Sequence, residues 1–243
     1  MTDYVIFGCG RVGSNMAAYL THLGHEIRLV SHDEANNDRV ACAEAIAEAK
    51  ITAAAIPDDR LQSWHDEWRD EIGDKIAVHF SGAVSIDGFF GFHPLYSFPA
   101  SPLSIEAMKE IAFACPLNGP RFAEIFPKAP NPHFEIADKN RARYHALAVL
   151  SGNLASFVWN ETAREIAGFT GMAPEKIMAS YLGSILDGFV ENPTSSLTGP
   201  IARHDKITVE KNLASLKDHP KLKGLYEAFL AAAWPEHERA GKS

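Results

Sequence analysis

Gly8-Cys9-Gly10-Arg11-Val12-Gly13 constrains this chain more than any other stretch. The G-x-G-x-x-G run follows an apolar segment, Tyr4 to Phe7, that reads as a short buried parallel strand. It opens a helix expected over Arg11 to Leu23, with Gly24 where a C-cap belongs. That strand–turn–helix setting is what gives the pattern meaning. Gly8 permits a tight turn, Gly10 lets the backbone approach a pyrophosphate, and Gly13 lets helix and strand pack closely. The free N–H groups and positive dipole end of the helix can then receive phosphates. The turn formed by Gly8, Cys9, Gly10, Arg11, Val12 and Gly13 is therefore expected to hold a dinucleotide. The plainer reading is a glycine-rich strand–helix connection without a ligand.

Strand and helix signals alternate through the first half. Strands are expected over Glu26 to Val30, Ile51 to Ile56 and Lys75 to Phe80, with further strands over Gly88 to Leu95 and Ile111 to Cys115. Helices are expected over residues 41–50 and Leu61 to Ile72. Such alternation means parallel pairing with helices on both faces, an α/β doubly wound sheet. Residues 127–134, with three prolines, read as a connection or an edge strand. Beyond them the pattern is helical. Arg141 to Ala167 reads as one long helix whose middle, Tyr144 to Leu150, is apolar nearly all round and calls for burial against its own chain or a second copy. Pro174 opens another helix to about Val190, Asn192 to Arg203 is a loop, and helices near 205–217 and 220–234 close the chain. The expected domains are 1–130 and 131–243.

Composition excludes several function classes. Lys and Arg total 23 against 31 Asp and Glu, and no basic run exists to track a phosphate backbone, so nucleic acid is not the expected partner. Cys9, Cys42 and Cys115 are isolated and form no CxxC, which fits a reducing compartment. The opening MTDYVIFGCG lacks the features of a signal peptide, and no apolar stretch approaches the ~20 residues of a membrane span. A cytoplasmic protein with no membrane partner is expected. There is no H-E-x-x-H, no Cys/His cluster, no G-x-S-x-G and no Walker A lysine, so no metal is expected.

The residues after the second strand select the dinucleotide. They read Val30-Ser31-His32-Asp33, so a serine stands where an NAD site usually offers a carboxylate. Ser31 and His32, with Arg11, can accept a 2′-phosphate, which favours NADP. Asp33 turned inward would favour NAD instead.

Several stretches together resemble a bacterial family of Rossmann-like proteins that carry a C-terminal helical domain, among relatives of the 6-phosphogluconate dehydrogenase C-terminal superfamily. They are GCGRVG at 8–13, AAAIPDD at 53–59, HFSGAVS at 79–85, GFHPLYSF at 91–98, RYHALAVLSGN at 143–153 and LTGPIARHD at 197–205. The resemblance implies an N-terminal Rossmann domain binding NAD(P), an all-α C-terminal dimerisation domain giving a homodimer, and oxidoreductase activity on a small molecule. Pro57 and Asp58, within AAAIPDD, join the expected cofactor-binding set. Two positions depart from the family: His204 stands where glycine is usual before Asp205, and Asn118 stands where an acid is common.

Hydride transfer needs a substrate carbon held against the nicotinamide and a group that moves a proton on the adjoining atom. Ser81-Gly82 follows a strand end, where such groups gather in open α/β sheets, and His93-Pro94 ends the next apolar run. The pair resembles the serine and His-Pro motif of prephenate dehydrogenases. His93 is expected to take or give the proton, its pKa lying near the working pH, with Ser81 orienting the hydroxyl. On the long helix Asn153 is the better pocket candidate, with His145 either a substrate group or a core or interface histidine. Val149 stands where related dehydrogenases place a lysine. Thr198 and Arg203 form a loop that can close on a carboxylate or phosphate, and Asp205 reads as a helix N-cap. The expected activity is NADP-dependent hydride transfer to or from a small, carboxylate-bearing metabolite in a cleft between the domains. The alternatives are a prephenate dehydrogenase-like activity and a dinucleotide-binding sensor or scaffold without turnover.

Overall fold

A computed structural model describes residues 2–236. The chain divides into two compact units, Met1–Gly152 and Asn153–Ser243.

The first unit is built on β1 (Tyr4–Phe7), β2 (Ile27–Val30), β3 (Ile51–Ala54), β4 (Ile76–His79) and β5 (Phe89–Gly91). They form one sheet in the order β2-β1-β3-β4-β5, every neighbouring pair parallel. Alternation along β1 sends its side chains to two cores. Tyr4 and Ile6 pack with Met16, Tyr19 and Leu20 of α1 (Arg11–His22). Val5 and Phe7 pack with Cys42 and Ile46 of α3 (Arg39–Glu48) and with Trp64 and Trp68 of α4 (Leu61–Ile72). Helices thus cover both faces, which is why all four residues of β1 are apolar and buried. A short α2 (His32–Asn37) follows β2, capped by the Ser31 hydroxyl, which accepts from the Glu34 N–H.

The expected strand over Gly88 to Leu95 is two strands in two sheets. β5 ends at Gly91, the Phe92 N–H donates to the His79 carbonyl at 2.8 Å, and β6 (His93–Pro94) leaves to pair antiparallel with β7 (Phe113–Pro116). Helix α5 (Ile105–Glu110) precedes β7 and α6 (Phe122–Ile125) follows it. β8 (His133–Ile136) pairs parallel with β7, so the proline-rich segment leads into an edge strand. With β8 in that sheet and Arg141 of α7 (Asp138–Ala148) buried under β5, the chain between 131 and 152 belongs with the first unit.

The expected long helix is interrupted. α7 passes into a π-helical segment, Val149–Leu154, before α8 (Ala155–Thr170). The widened turn changes the helical phase, so spacing rules for a regular α-helix do not carry from His145 to Asn153. Nor is Tyr144 to Leu150 buried all round: Leu147 is 57% and Leu150 56% exposed. In the second unit α9 (Pro174–Glu191) starts on its proline and buries none of its residues, leaving Tyr181, Ile185, Leu186, Phe189 and Val190 exposed. The expected loop holds a one-turn α10 (Gly199–Ala202), followed by α11 (Lys206–Ser215) and α12 (Pro220–Ala233). Asp205 caps α11, accepting from the Thr208 N–H at 3.1 Å. A small core of Ile201, Val209 and Leu230 holds these helices together. No described helix is long and apolar enough to cross a membrane.

His204 adopts φ +55°. In that left-handed conformation its imidazole stacks on Trp234 at 4.5 Å and 9°. Strain of about 1–2 kcal/mol opposes a ring contact of about 0.5–1.5 kcal/mol. H204A loses the contact and keeps the strain, whereas H204G loses both. H204G is expected to be more stable than H204A by about 1 kcal/mol, read from urea unfolding midpoints.

Candidate functional site

The sheet order places the topological switch beside β1, where the chain runs outward to β2 and returns to β3. Open α/β sheets bind ligands in the crevice beyond the strand ends at that point. A cavity of about 940 Å³ lies there, lined by residues that follow each of these strands: Gly8, Cys9 and Gly10 after β1, Ser31 and His32 after β2, and Ala55, Ile56 and Pro57 after β3.

Backbone packing builds this crevice. Gly8 has φ +108°, and a Cβ there would overlap the Ala55 carbonyl. A Cβ on Gly13 would overlap the Gly8 carbonyl, so β1, α1 and β3 approach at a distance only glycine allows. Gly10 differs. It is the N-cap of α1, its Cβ position faces open space, and no side chain caps the helix. The first turn of α1 carries no acidic residue, so its end keeps an uncompensated positive dipole.

Of the residues expected at the cofactor, Gly8, Cys9, Gly10, Ser31, His32 and Pro57 line the crevice. Val12 packs into the core, Gly13 is buried, and the Arg11 guanidinium reaches the Phe98 carbonyl at 3.5 Å. Asp58 lies in a 3₁₀ turn, Asp58–Arg60, and is exposed. The crevice also holds groups the sequence reading missed. Arg39 lies 4.3 Å above the Trp68 ring and is committed to Glu67 at 2.8 Å and Glu71 at 2.7 Å. Arg60 is mostly exposed, with its nearest carboxylate, Asp59, at 3.9 Å.

A second cluster gathers where β4, β6 and α7 meet. His93 Nδ1 lies 2.9 Å from the Tyr144 hydroxyl, and its ring meets that of His145 edge-on at 5.7 Å. Gly82 fits beneath both: a Cβ there would lie 2.7 Å from His145 Nδ1 and 3.1 Å from the His93 ring. His145 Nδ1 is buried without a partner. The Ser81 Oγ accepts from the N–H groups of Ala83 and Val84, both at 3.2 Å, and keeps its own hydrogen to donate. The Arg141 guanidinium, almost fully buried, donates to the carbonyls of Ser81 and Gly91. The structure thus brings His93 and His145 together over Gly82, the residue that follows Ser81. Alongside lies an open, apolar hollow of about 600 Å³ lined by Leu95, Tyr144, Leu147 and Leu150.

Residues 117–233 match the family model described as "Domain of unknown function (DUF2520)". No curated protein matches the sequence at a significant level. Among solved structures, a "putative NADP oxidoreductase" from Bacteroides fragilis is 20% identical, with TM-score 0.73, covering 96% of this chain and 97% of its own. A protein from Thermotoga maritima is 19% identical, with TM-score 0.70 and coverage of 97% and 99%. Plasmodium falciparum pyrroline carboxylate reductase, with NADP bound, is 13% identical, with TM-score 0.59 and coverage of 96% and 95%. The shared fold is an N-terminal Rossmann sheet followed by an all-α domain.

Asn153, Thr198 and Arg203 belong to the second unit, and all three are exposed. Asn153 lies in the π-helical segment and Thr198 is the N-cap of α10. No group of three or more His, Cys, Asp or Glu that could hold a metal occurs among the described residues.

The buried histidines titrate low. Burial first, then His145 and Arg141, pushes His93 down to about 4. Burial and then Arg141 and His65 push His79 down to about 3. His93 is therefore neutral at pH 7, and the expectation of a pKa near the working pH is corrected by its desolvation. Because both folded values lie below the unfolded value of about 6.5, the unfolded chain binds more protons over this window. Stability is full above pH 6.5 and is lost as pH falls from there toward 4 and 3. Thermal melts across pH 4–7 should show that decline, and H93Q should make it shallower between 6.5 and 4, the remainder there coming from His79.

Proposed function

We propose that this chain is an NADP-dependent oxidoreductase that transfers hydride to or from a small metabolite bearing a carboxylate. The crevice at the β1–β3 switch carries the reading. It combines a helix N-terminus without an acidic first turn, an open front at Gly10 and about 940 Å³ of space. These residues fit a dinucleotide: Gly8, Cys9 and Gly10 would face its pyrophosphate. The nicotinamide supplies or accepts hydride when bound. Ser31, His32 and Arg60 would take the 2′-phosphate, since Arg39 is already paired with two carboxylates. Ser31 is not an acid, which supports NADP over NAD.

Ser81, His93 and His145 would line the reacting part of the substrate. The exposed apolar side chains of α9 fit burial against a second copy, as a homodimer.

Thermal-shift titration tests the cofactor. NADPH should stabilise the protein by about 2.7 kcal/mol at a hundredfold excess over Kd. The R60A/H32A pair should weaken NADPH roughly tenfold and leave NADH nearly unchanged. Equal shifts for NADH and NADPH in the unaltered protein would remove the preference for NADP. H93A should abolish turnover in a metabolite screen while NADPH still binds, and undiminished turnover would remove His93 from the chemistry.

A further inference from the structure

We propose that Tyr144 is a positioning residue that donates its phenol hydrogen to His93 Nδ1 and holds the imidazole as the Nε2–H tautomer, making His93 a neutral hydrogen-bond donor suited to reduction. This deepens the reading above and rests on it for the role of His93 toward substrate.

The Tyr144 hydroxyl makes one hydrogen bond among the described residues, to His93 Nδ1 at 2.9 Å. If Nδ1 were the donor, the phenol hydrogen would be left without a protein acceptor. With the phenol donating, Nδ1 accepts, and the single N–H of a neutral imidazole falls on Nε2. Burial raises the Tyr144 pKa and lowers that of His93, so both stay in these neutral forms near pH 7. His93 Nε2 makes no hydrogen bond among the described residues and is not among the sealed, unpartnered atoms.

The ring is also held in place. Tyr144 meets it edge-on at 5.7 Å and 79°, His145 meets it at 5.7 Å and 88°, and Gly82 closes beneath it. Tyr144 is itself braced by Phe134 of β8 at 5.9 Å. A fixed, neutral N–H donor stabilises negative charge as it develops, and its donor nitrogen has no lone pair free to remove a proton. The tautomer therefore suits reduction of a C=O or C=N group. A nicotinamide bound in the crevice would supply the hydride and be left oxidised; as the substrate π pair moves to oxygen or nitrogen, the Nε2–H of His93 would stabilise the developing charge, and solvent water would provide the proton that completes the product.

The tautomer is read by long-range ¹H–¹⁵N correlation of the imidazole nitrogens, with the ¹⁵N-labelled full-length protein at pH 7.5 and no cofactor or substrate. H93Q assigns the signals. His93 should show one Nε2–H tautomer in the unaltered protein. In Y144F, which keeps the ring packing, the two nitrogen shifts should converge as both tautomers populate. A dominant Nδ1–H form, or His93 shifts unmoved by Y144F, overturns the proposal. Since no nicotinamide is present, that failure is distinct from a failure to bind NADPH. Where reduction is measured, Y144F should lower kcat about tenfold with KM for NADPH unchanged.

Discussion

The approach of three backbones at Gly8 and Gly13 is the constraint on which the first unit depends. Side chains at either position would drive β1 from β3 or α1 from β1, because the atoms they meet are carbonyl groups that cannot turn away. With both absent, α1 begins close against the sheet and its free N–H groups face the β1–β3 crevice. The two cores then fall on opposite sides of β1, one under α1 and the other under α3 and α4. The same contact that fixes the fold therefore shapes the pocket.

Arg141 plays a comparable part at the second cluster. Its guanidinium is 1% exposed, and its nearest carboxylate, Asp138, lies 4.0 Å away and mostly in solvent. Burying such a charge costs several kcal/mol unless hydrogen bonds offset it. Here the carbonyls of Ser81 and Gly91 do so, which ties the loop after β4 to the end of β5. The retained positive charge also disfavours protonation of His79 and His93. A cation held by backbone carbonyls thus orders the loop under His93 and helps to keep that imidazole neutral.

Much of the fold was legible because its signals are local. The glycine turn, the apolar strands β1 to β4, the proline that opens α9 and the Asp205 cap each follow from a few adjacent residues. The split of Gly88 to Leu95 into two sheets was not legible, since both halves are equally apolar and only the partners of β5 and β6 distinguish them. Neither was the π-helical segment at Val149–Leu154, which interrupts a stretch of ordinary helix composition. At the candidate site, Ser81 and His93 could be picked out by their place at strand ends. Tyr144, Arg141 and Gly82 could not, because their roles arise from contacts between residues about ten to sixty positions apart.

The sequence by itself determined the alternating α/β order, the glycine turn that opens α1 and the absence of an acid at Ser31, because each depends on backbone freedom or residue type at a single place. Tertiary structure alone decided that His93 is neutral, that Tyr144 is its partner and that Arg39 is held by two carboxylates while Arg60 stays mostly exposed beside Asp59. Those properties come from burial and from neighbours distant along the chain, and no local pattern records how much water a side chain keeps.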